Sequence, residues 1–277
     1  MAIKLTIMTA LAMLAFAANS VLCRMALSDV NNDAISFTLM RLLSGAVILF
    51  IFVINARHNL VKGFTLQTMS ASVSLFLYAL FFSLAYIDID AGSGALILFA
   101  SVQFTMMIAA FIRGERLIVS ELIGIILALT GFIYLLLPGA SVPSLIPALL
   151  MMLSGIAWGA YCLLGQDTTD PIQSTARNFV LCLPLVVILL LVLPFALTNR
   201  GMLLAVLSGA LTSGLGYVLW YVVLRQITTS TAAIVQLSVP MIAMFGGVLL
   251  LDESLATQLV IASTLILGGI YIKTRAD

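Results

Sequence analysis

The feature that most constrains this chain is a succession of about ten apolar stretches, each near the length needed to cross roughly 30 Å of hydrocarbon, separated by short polar breaks. They fall at 5–27, 34–56, 67–87, 91–112, 117–137, 145–165, 174–195, 202–224, 230–251 and 255–273. Asp, Arg, Asn, Pro and Gly collect in the breaks, where helices are expected to end. With 63% hydrophobic and 8% charged residues, 277 residues carry more apolar surface than a water-soluble domain of this size can bury. The chain is therefore expected to be an all-α, polytopic membrane protein with ten transmembrane helices. Almost nothing remains for a soluble domain.

Charge placement orients the ladder. With Lys4 in the cytoplasm, Arg57, Lys62, Arg113, Arg116, Arg225, Lys273 and Arg275 share its side, while Arg200 falls in an outer loop. The positive-inside rule then puts both termini in the cytoplasm, as an even number of spans requires. Asp29, Asp33, Asp88, Asp90, Asp252 and Glu253 lie near the outer ends. Cys23, Cys162 and Cys182 sit inside spans and are odd in number, so they read as packing residues rather than a disulfide framework. Lys4, the apolar run and Ala15-Phe16-Ala17 imitate a signal peptide. The residues just beyond have a counterpart deep in the second half, which argues against cleavage.

That counterpart belongs to an internal repeat. At an offset of 138, Glu115 falls on Glu253, Leu117 on Leu255 and Gly131 on Gly269. At an offset of 142, the segment from Phe16 to Arg24 lies over Trp158 to Gln166. Asn32-Asp33-Ala34-Ile35 resembles Thr169-Asp170-Pro171-Ile172, and Arg41 falls within one position of Arg177. A repeat of five spans is odd, so the second copy must enter the membrane from the other face. Residues 1–138 (helices 1–5) and 139–277 (helices 6–10) are thus expected to be inverted repeats within one membrane domain. Such a pair opens to either side by exchanging near-equivalent conformations, and the pattern predicts a secondary transporter working by alternating access.

Other classes fit less well. There is no G-x-x-x-x-G-K-[ST] loop and no segment long enough for a nucleotide-binding domain. Against an intramembrane enzyme, the single histidine, His58, lies in a basic loop, and no H-E-x-x-H, metal-ligand cluster or mid-span aspartate pair is present. A channel is disfavoured by the lack of a charged ring or repeated filter loop. No cofactor, metal or nucleic acid is expected; the partners are a small-molecule substrate and the lipid bilayer, and a monomer suffices.

Several stretches resemble the drug/metabolite transporter superfamily and its ten-helix, two-repeat EamA-type branch. They are Trp158-Gly-Ala-Tyr in span six, Arg41 in span two, Pro240 followed thirteen residues later by Glu253-Ser-Leu, and Glu115-Arg-Leu in the equivalent hairpin. Phe16 stands where the pattern has Trp, and Val102 where it has Pro. The resemblance implies export of amino acids and related metabolites across the bacterial cytoplasmic (inner) membrane. The aromatic residues with Tyr161-Cys162 look like the aromatic amino-acid exporters of that branch.

Ionisable groups deep in a span are the natural functional candidates. Arg41 lies about 10 Å into its span at 1.5 Å per residue, so it must meet water, a carboxylate or carbonyls. Snorkelling outward to Asp29 or Asp33 is one solution. The pseudo-symmetry suggests another, in which Arg24, Asp29, Asp33 and Arg41 latch the outer side and Gln166, Asp167, Asp170 and Arg177 the inner. Pro240 removes a backbone hydrogen bond and should kink span nine. Arg24, Arg41, Asp170, Arg177 and Pro240 are the gating candidates. Asn19, Tyr78, Phe99, Gln103, Trp158, Tyr161, Tyr217, Trp220, Tyr221, Gln236 and Ser238 are the substrate-binding candidates, as polar and aromatic groups that need partners away from water. Together they suggest a neutral, partly aromatic pocket for a small neutral or zwitterionic cargo. No Asp or Glu falls mid-span, which favours uniport or exchange over proton coupling. Glu115 and Glu253 read as helix-end residues, and Gly155, Gly159, Gly214 and Gly216 as packing positions.

Overall fold

The computed structural model describes residues 2–55, 65–112, 119–136, 143–166, 168–191, 194–227, 235–236, 238–254 and 256–275. Its elements are α1 (Ala2–Leu27), α2 (Ala34–Asn55), α3 (Leu66–Ala85), α4 (Ala91–Ile112), α5 (Val119–Leu136), α6 (Leu145–Gly165) and α7 (Pro171–Leu190). They continue with α8 (Asn199–Leu224), α9 (Ser238–Leu251) and α10 (Thr257–Arg275). The described residues form helices and connecting turns with no strand. Seven of the helices, α1–α4 and α6–α8, contain stretches long and apolar enough to cross a membrane; α9 and the Thr257–Gly269 part of α10 are shorter apolar helices. Glu115, like His58 and Asp167, lies outside the described residues.

α7 and α8 each start three residues earlier than hydropathy alone suggests, and capping explains both. Asp170 Oδ1 accepts the Gln173 N–H at 3.1 Å, with Pro171 at the first position of α7. Thr198 Oγ1 accepts the Gly201 N–H at 3.0 Å at the start of α8. Each satisfies a first-turn N–H that has no partner within the helix, so polar residues extend an apolar span. Asp33 starts α2 in the same way, with the Ser36 N–H donating to Oδ2 at 2.7 Å.

The two halves of the chain interleave rather than stand side by side. α1 packs on α8 and α9, α2 on α7 and α8, α3 on α6 and α7, α4 on α6 and α9, and α5 on α10. Small residues allow the close approaches. Any Cβ at Gly155 would meet Leu98 O and Ser101 of α4, and one at Gly269 would meet the Gly124 and Ala128 backbone of α5. Packing is therefore what these glycines do, in keeping with close helix contact in lipid.

α8 is not regular along its length. Residues Ser208–Leu215 form a π-helical segment, in which the backbone bonds reach one residue further than in an α-helix. Gly209 in this segment lies so close to α2 that a Cβ there would collide with Arg41 O and Ser44 Oγ. The wider turn and the missing side chain bring α8 against Arg41.

Candidate functional site

Arg41 is 1% exposed at the middle of the bundle. Its Nε donates to Ser213 Oγ at 3.0 Å, and Nη2 donates to the hydroxyls of Tyr78 at 3.0 Å and Tyr217 at 2.8 Å. The guanidinium carbon lies 5.1 Å from the Tyr78 ring centre and 4.8 Å from that of Phe82. Ser213 and Tyr217 come from α8, so one side chain of the first half is held by the π-distorted helix of the second. The expected outward ion pair is not formed. Asp33 is spent capping α2, and Asp29 accepts the Asn31 N–H and side-chain amide at 3.0 and 2.8 Å. Those Asn31 bonds, the backbone one first, hold the Asp29 carboxyl below the ordinary aspartate range. Three hydroxyls and two ring faces within reach make the interior the better solution for Arg41.

A second polar hub adjoins it. Asn19 Nδ2 donates to the Tyr78 hydroxyl at 3.2 Å, and Asn19 Oδ1 accepts from Ser208 at 2.7 Å and Thr212 at 3.2 Å, both in the π segment. The Tyr217 hydroxyl donates to that of Tyr78 at 3.1 Å. Around these bonds the rings close up. Trp158 lies 4.8 Å from Tyr78, 4.7 Å from Tyr217 and 5.4 Å from Tyr161. Phe16 meets Phe99, Trp158, Tyr217 and Trp220. Tyr161 stacks on Tyr221 at 5.5 Å. Phe16 thus fills the place where the resemblance expects Trp.

The ends of the bundle differ. α3, about 30 Å long at 1.5 Å per residue, runs from one to the other. At its N-terminal end a polar cavity of about 290 Å³ lies between α3, α6 and α7, lined by Gln67, Thr68, Asp170, Gln173, Arg177 and Asn178 among others. Asn178 reaches the Tyr161 hydroxyl at 3.4 Å, so the cavity touches the aromatic cluster.

The other end of α3 is clasped. Arg24 Nε lies 3.5 Å from Glu253 Oε1, Nη2 lies 3.8 Å from Asp90 Oδ1, and Nη1 donates to the carbonyls of Tyr86 and Ile87. Both Glu253 oxygens accept the Ala91 N–H at 3.0 Å, which places the carboxylate at the N-terminus of α4. Glu253 therefore caps a helix of the other half rather than the one that follows it. Its backbone turns there because Asp252 adopts φ 54, and Gly247 leaves room for the carboxylate. Burial raises the Glu253 carboxyl above the ordinary value, against the opposing pull of the Ala91 N–H. A second clasp joins Asn32 Oδ1 to Thr198 N and Oγ1 at 2.7 and 3.0 Å.

Of the residues singled out from sequence, Asn19, Arg41, Tyr78, Phe99, Trp158, Tyr161, Tyr217, Trp220 and Tyr221 come together in this cluster. Asp170 and Arg177 line the cavity, and Arg24 belongs to the clasp. Ser238 is elsewhere, in an apolar groove between α9 and α10 with its hydroxyl on Val235 O at 2.7 Å. Gln236 is buried, Gln103 half-buried, and Pro240 occupies the third position of α9. Sequence reasoning missed Ser208, Thr212, Ser213, Asn178 and the bridging role of Glu253. The recurrence of Ser208, Thr212 and Tyr217 along one apolar helix was the available signal.

A family model described as EamA-like transporter family matches residues 4–137 and again 145–275. The chain belongs to the EamA-like transporter family. An uncharacterized protein of Pseudomonas aeruginosa is 48% identical over 268 residues, covering 96% of this chain and 93% of its own. A protein of Escherichia coli named as a probable amino-acid metabolite efflux pump is 28% identical over 236 residues, 77% of this chain and 76% of its own. A crystal structure with a TM-score of 0.68 covers 96% of this EamA-family chain and 98% of its own at 16% identity, a likeness of fold. This EamA-family transporter is thus a multi-pass membrane protein, and the cluster at Arg41 lies where its two matched segments meet.

Proposed function

We propose that this transporter is a secondary carrier that exports small neutral or zwitterionic metabolites, foremost amino acids and aromatic ones among them, by alternating access. Ten helices in two inverted five-helix repeats form one membrane domain of a monomer in the bacterial inner membrane, with both termini in the cytoplasm. The twofold family match and the interleaved packing of the halves support this reading. One observation carries it: a buried aromatic and polar cluster, built by helices of both halves, sits between a clasped end and an end with a polar cavity. In this reading Arg24, Glu253 and Asp90 form the outer gate, and Asp170 and Arg177 border the inner vestibule. Trp158, Tyr78, Tyr217, Trp220 and Asn19 receive the cargo. With no carboxylate among those groups, transport proceeds as uniport or exchange.

The test is counterflow in proteoliposomes preloaded with single amino acids, nucleobases or sugars, which needs no assumption about a driving ion. Accumulation of labelled phenylalanine or tyrosine against its own preload is the expected result, reduced by Trp158→Ala. Activity confined to sugars or nucleobases would replace the amino-acid assignment, and absence of any counterflow would remove the carrier reading.

A further inference from the structure

The cluster holds a positive charge without a negative one. The bonds around Arg41 run to three neutral hydroxyls and its rings are neutral too. Its Nη1 has no hydrogen-bond partner, and neither has Nε1 of Trp158, whose ring packs on both tyrosines that hold Arg41. Every described Asp or Glu lies in a connecting segment or at a helix end. Buried charges are ordinarily paired, because hydroxyls and ring faces only partly replace the hydration of a guanidinium. Trp220 Nε1 in the same cluster is unpartnered too, so three buried donors, one of them charged, lack acceptors there, and a carboxylate brings two acceptor oxygens.

We infer that Arg41 is the carboxylate-binding residue for the cargo, and that the substrate class is small aromatic carboxylates in which the carboxylate is required and the α-ammonium dispensable. This rests on the carrier reading above and sharpens it. The ring of the cargo packs against Trp158, with its carboxylate on Arg41 Nη1 and Trp158 Nε1. No acidic side chain in the cluster meets an ammonium group, so only the π faces receive it. Loading neutralises the guanidinium and release exposes it again, so the loaded carrier reorients faster than the empty one and exchange outruns net flux.

The experiment uses purified full-length protein in nanodiscs, with the fluorescence of its two tryptophans, Trp158 and Trp220, as the binding readout. The ligands are phenylalanine, 3-phenylpropionate and phenylalaninamide. Phenylalanine and 3-phenylpropionate are expected to bind within a few-fold of each other and phenylalaninamide at least tenfold more weakly. That factor is what losing one charge-assisted hydrogen bond implies. Arg41→Lys should keep the preference for carboxylates at lower affinity, and Arg41→Gln should abolish it. Equal binding of the amide by the wild-type protein, which needs no variant to fold, would overturn the inference and leave the carrier reading intact. So would a folded Arg41→Gln protein that still discriminates. Carboxylate-selective binding without counterflow of any solute would instead remove the carrier reading and leave the anion site standing.

Discussion

Removing one oxygen from Tyr217 probes how the buried charge is held. Tyr217→Phe keeps the ring that packs at 4.7 Å on Trp158 and 5.9 Å on Phe16, so no cavity opens. It deletes the 2.8 Å acceptor for Arg41 Nη2 and the 3.1 Å bond to Tyr78. A hydrogen bond to a charged group contributes about 1.5–3 kcal/mol and a neutral one about 0.5–1.5 kcal/mol. The two share Tyr78 and Arg41, so they do not add fully, and a loss of about 2–3 kcal/mol is expected. Tyr161→Phe, whose hydroxyl meets Asn178 at a longer 3.4 Å, serves as the control and should cost less than about 1 kcal/mol. Reversible unfolding in mixed micelles measures both. In an Arg41→Met background, where the charge is gone, the cost of Tyr217→Phe should fall below about 1 kcal/mol. An equal cost in both backgrounds would show that the guanidinium does not depend on this hydroxyl.

Three further outcomes follow from the same geometry. Gly209→Ala forces α8 away from Arg41 O and Ser44, and should destabilise by about 1–3 kcal/mol. Gly268→Ala meets nothing within 4 Å and should be neutral or stabilising, so thermal unfolding of the pair separates close approach from general glycine loss. Asp170→Asn keeps an N-cap acceptor on α7 but removes the charge bordering the cavity, so counterflow should change while the unfolding temperature does not. The Glu253 carboxyl is raised by burial, so its ionised form is the one the fold disfavours. Its contribution to stability is present at low pH and lost as pH rises through the raised value. The pair with Arg24, by contrast, exists only above that value. Acidification therefore protonates Glu253 before an ordinary glutamate and removes its charge from the pair with Arg24, which loosens the clasp. Labelling of a Ser93→Cys variant, at a buried position in the first turn of α4 two residues after Ala91, should rise accordingly, and Glu253→Gln should flatten the pH response. A response that survives Glu253→Gln would exclude this carboxyl.

Apolar run length placed most helices within a few residues, because a membrane span is defined by the transfer of a long apolar segment and little else. The ends of α7 and α8 were harder to read, since Asp170 and Thr198 extend them through caps that hydropathy counts as polar breaks. Aromatic and amide residues inside spans pointed to most of the cluster, since each must find a partner in the interior. Ser238 broke that rule by bonding to the carbonyl three residues before it, which satisfies a hydroxyl without any site. Arg41 stood out by depth, but its partners did not, because the expected aspartates are local in sequence and the actual hydroxyls are 37, 172 and 176 residues away. The π segment has no sequence period of its own. The role of Glu253 depended on a left-handed Asp252 and the space over Gly247, neither of which leaves a pattern in hydropathy.

The most direct test of a passage that opens alternately is the reactivity of one central position from each side of the membrane. Thr212 is buried in the π segment and bonded to Asn19, and the native Cys23, Cys162 and Cys182 are buried, so a Thr212→Cys variant reports from the centre. In right-side-out and inside-out vesicles, an impermeant thiol reagent is expected to label it from both faces during exchange, with saturating cargo protecting it from both. Labelling from one face only, or from neither while transport continues, would contradict a shared central passage.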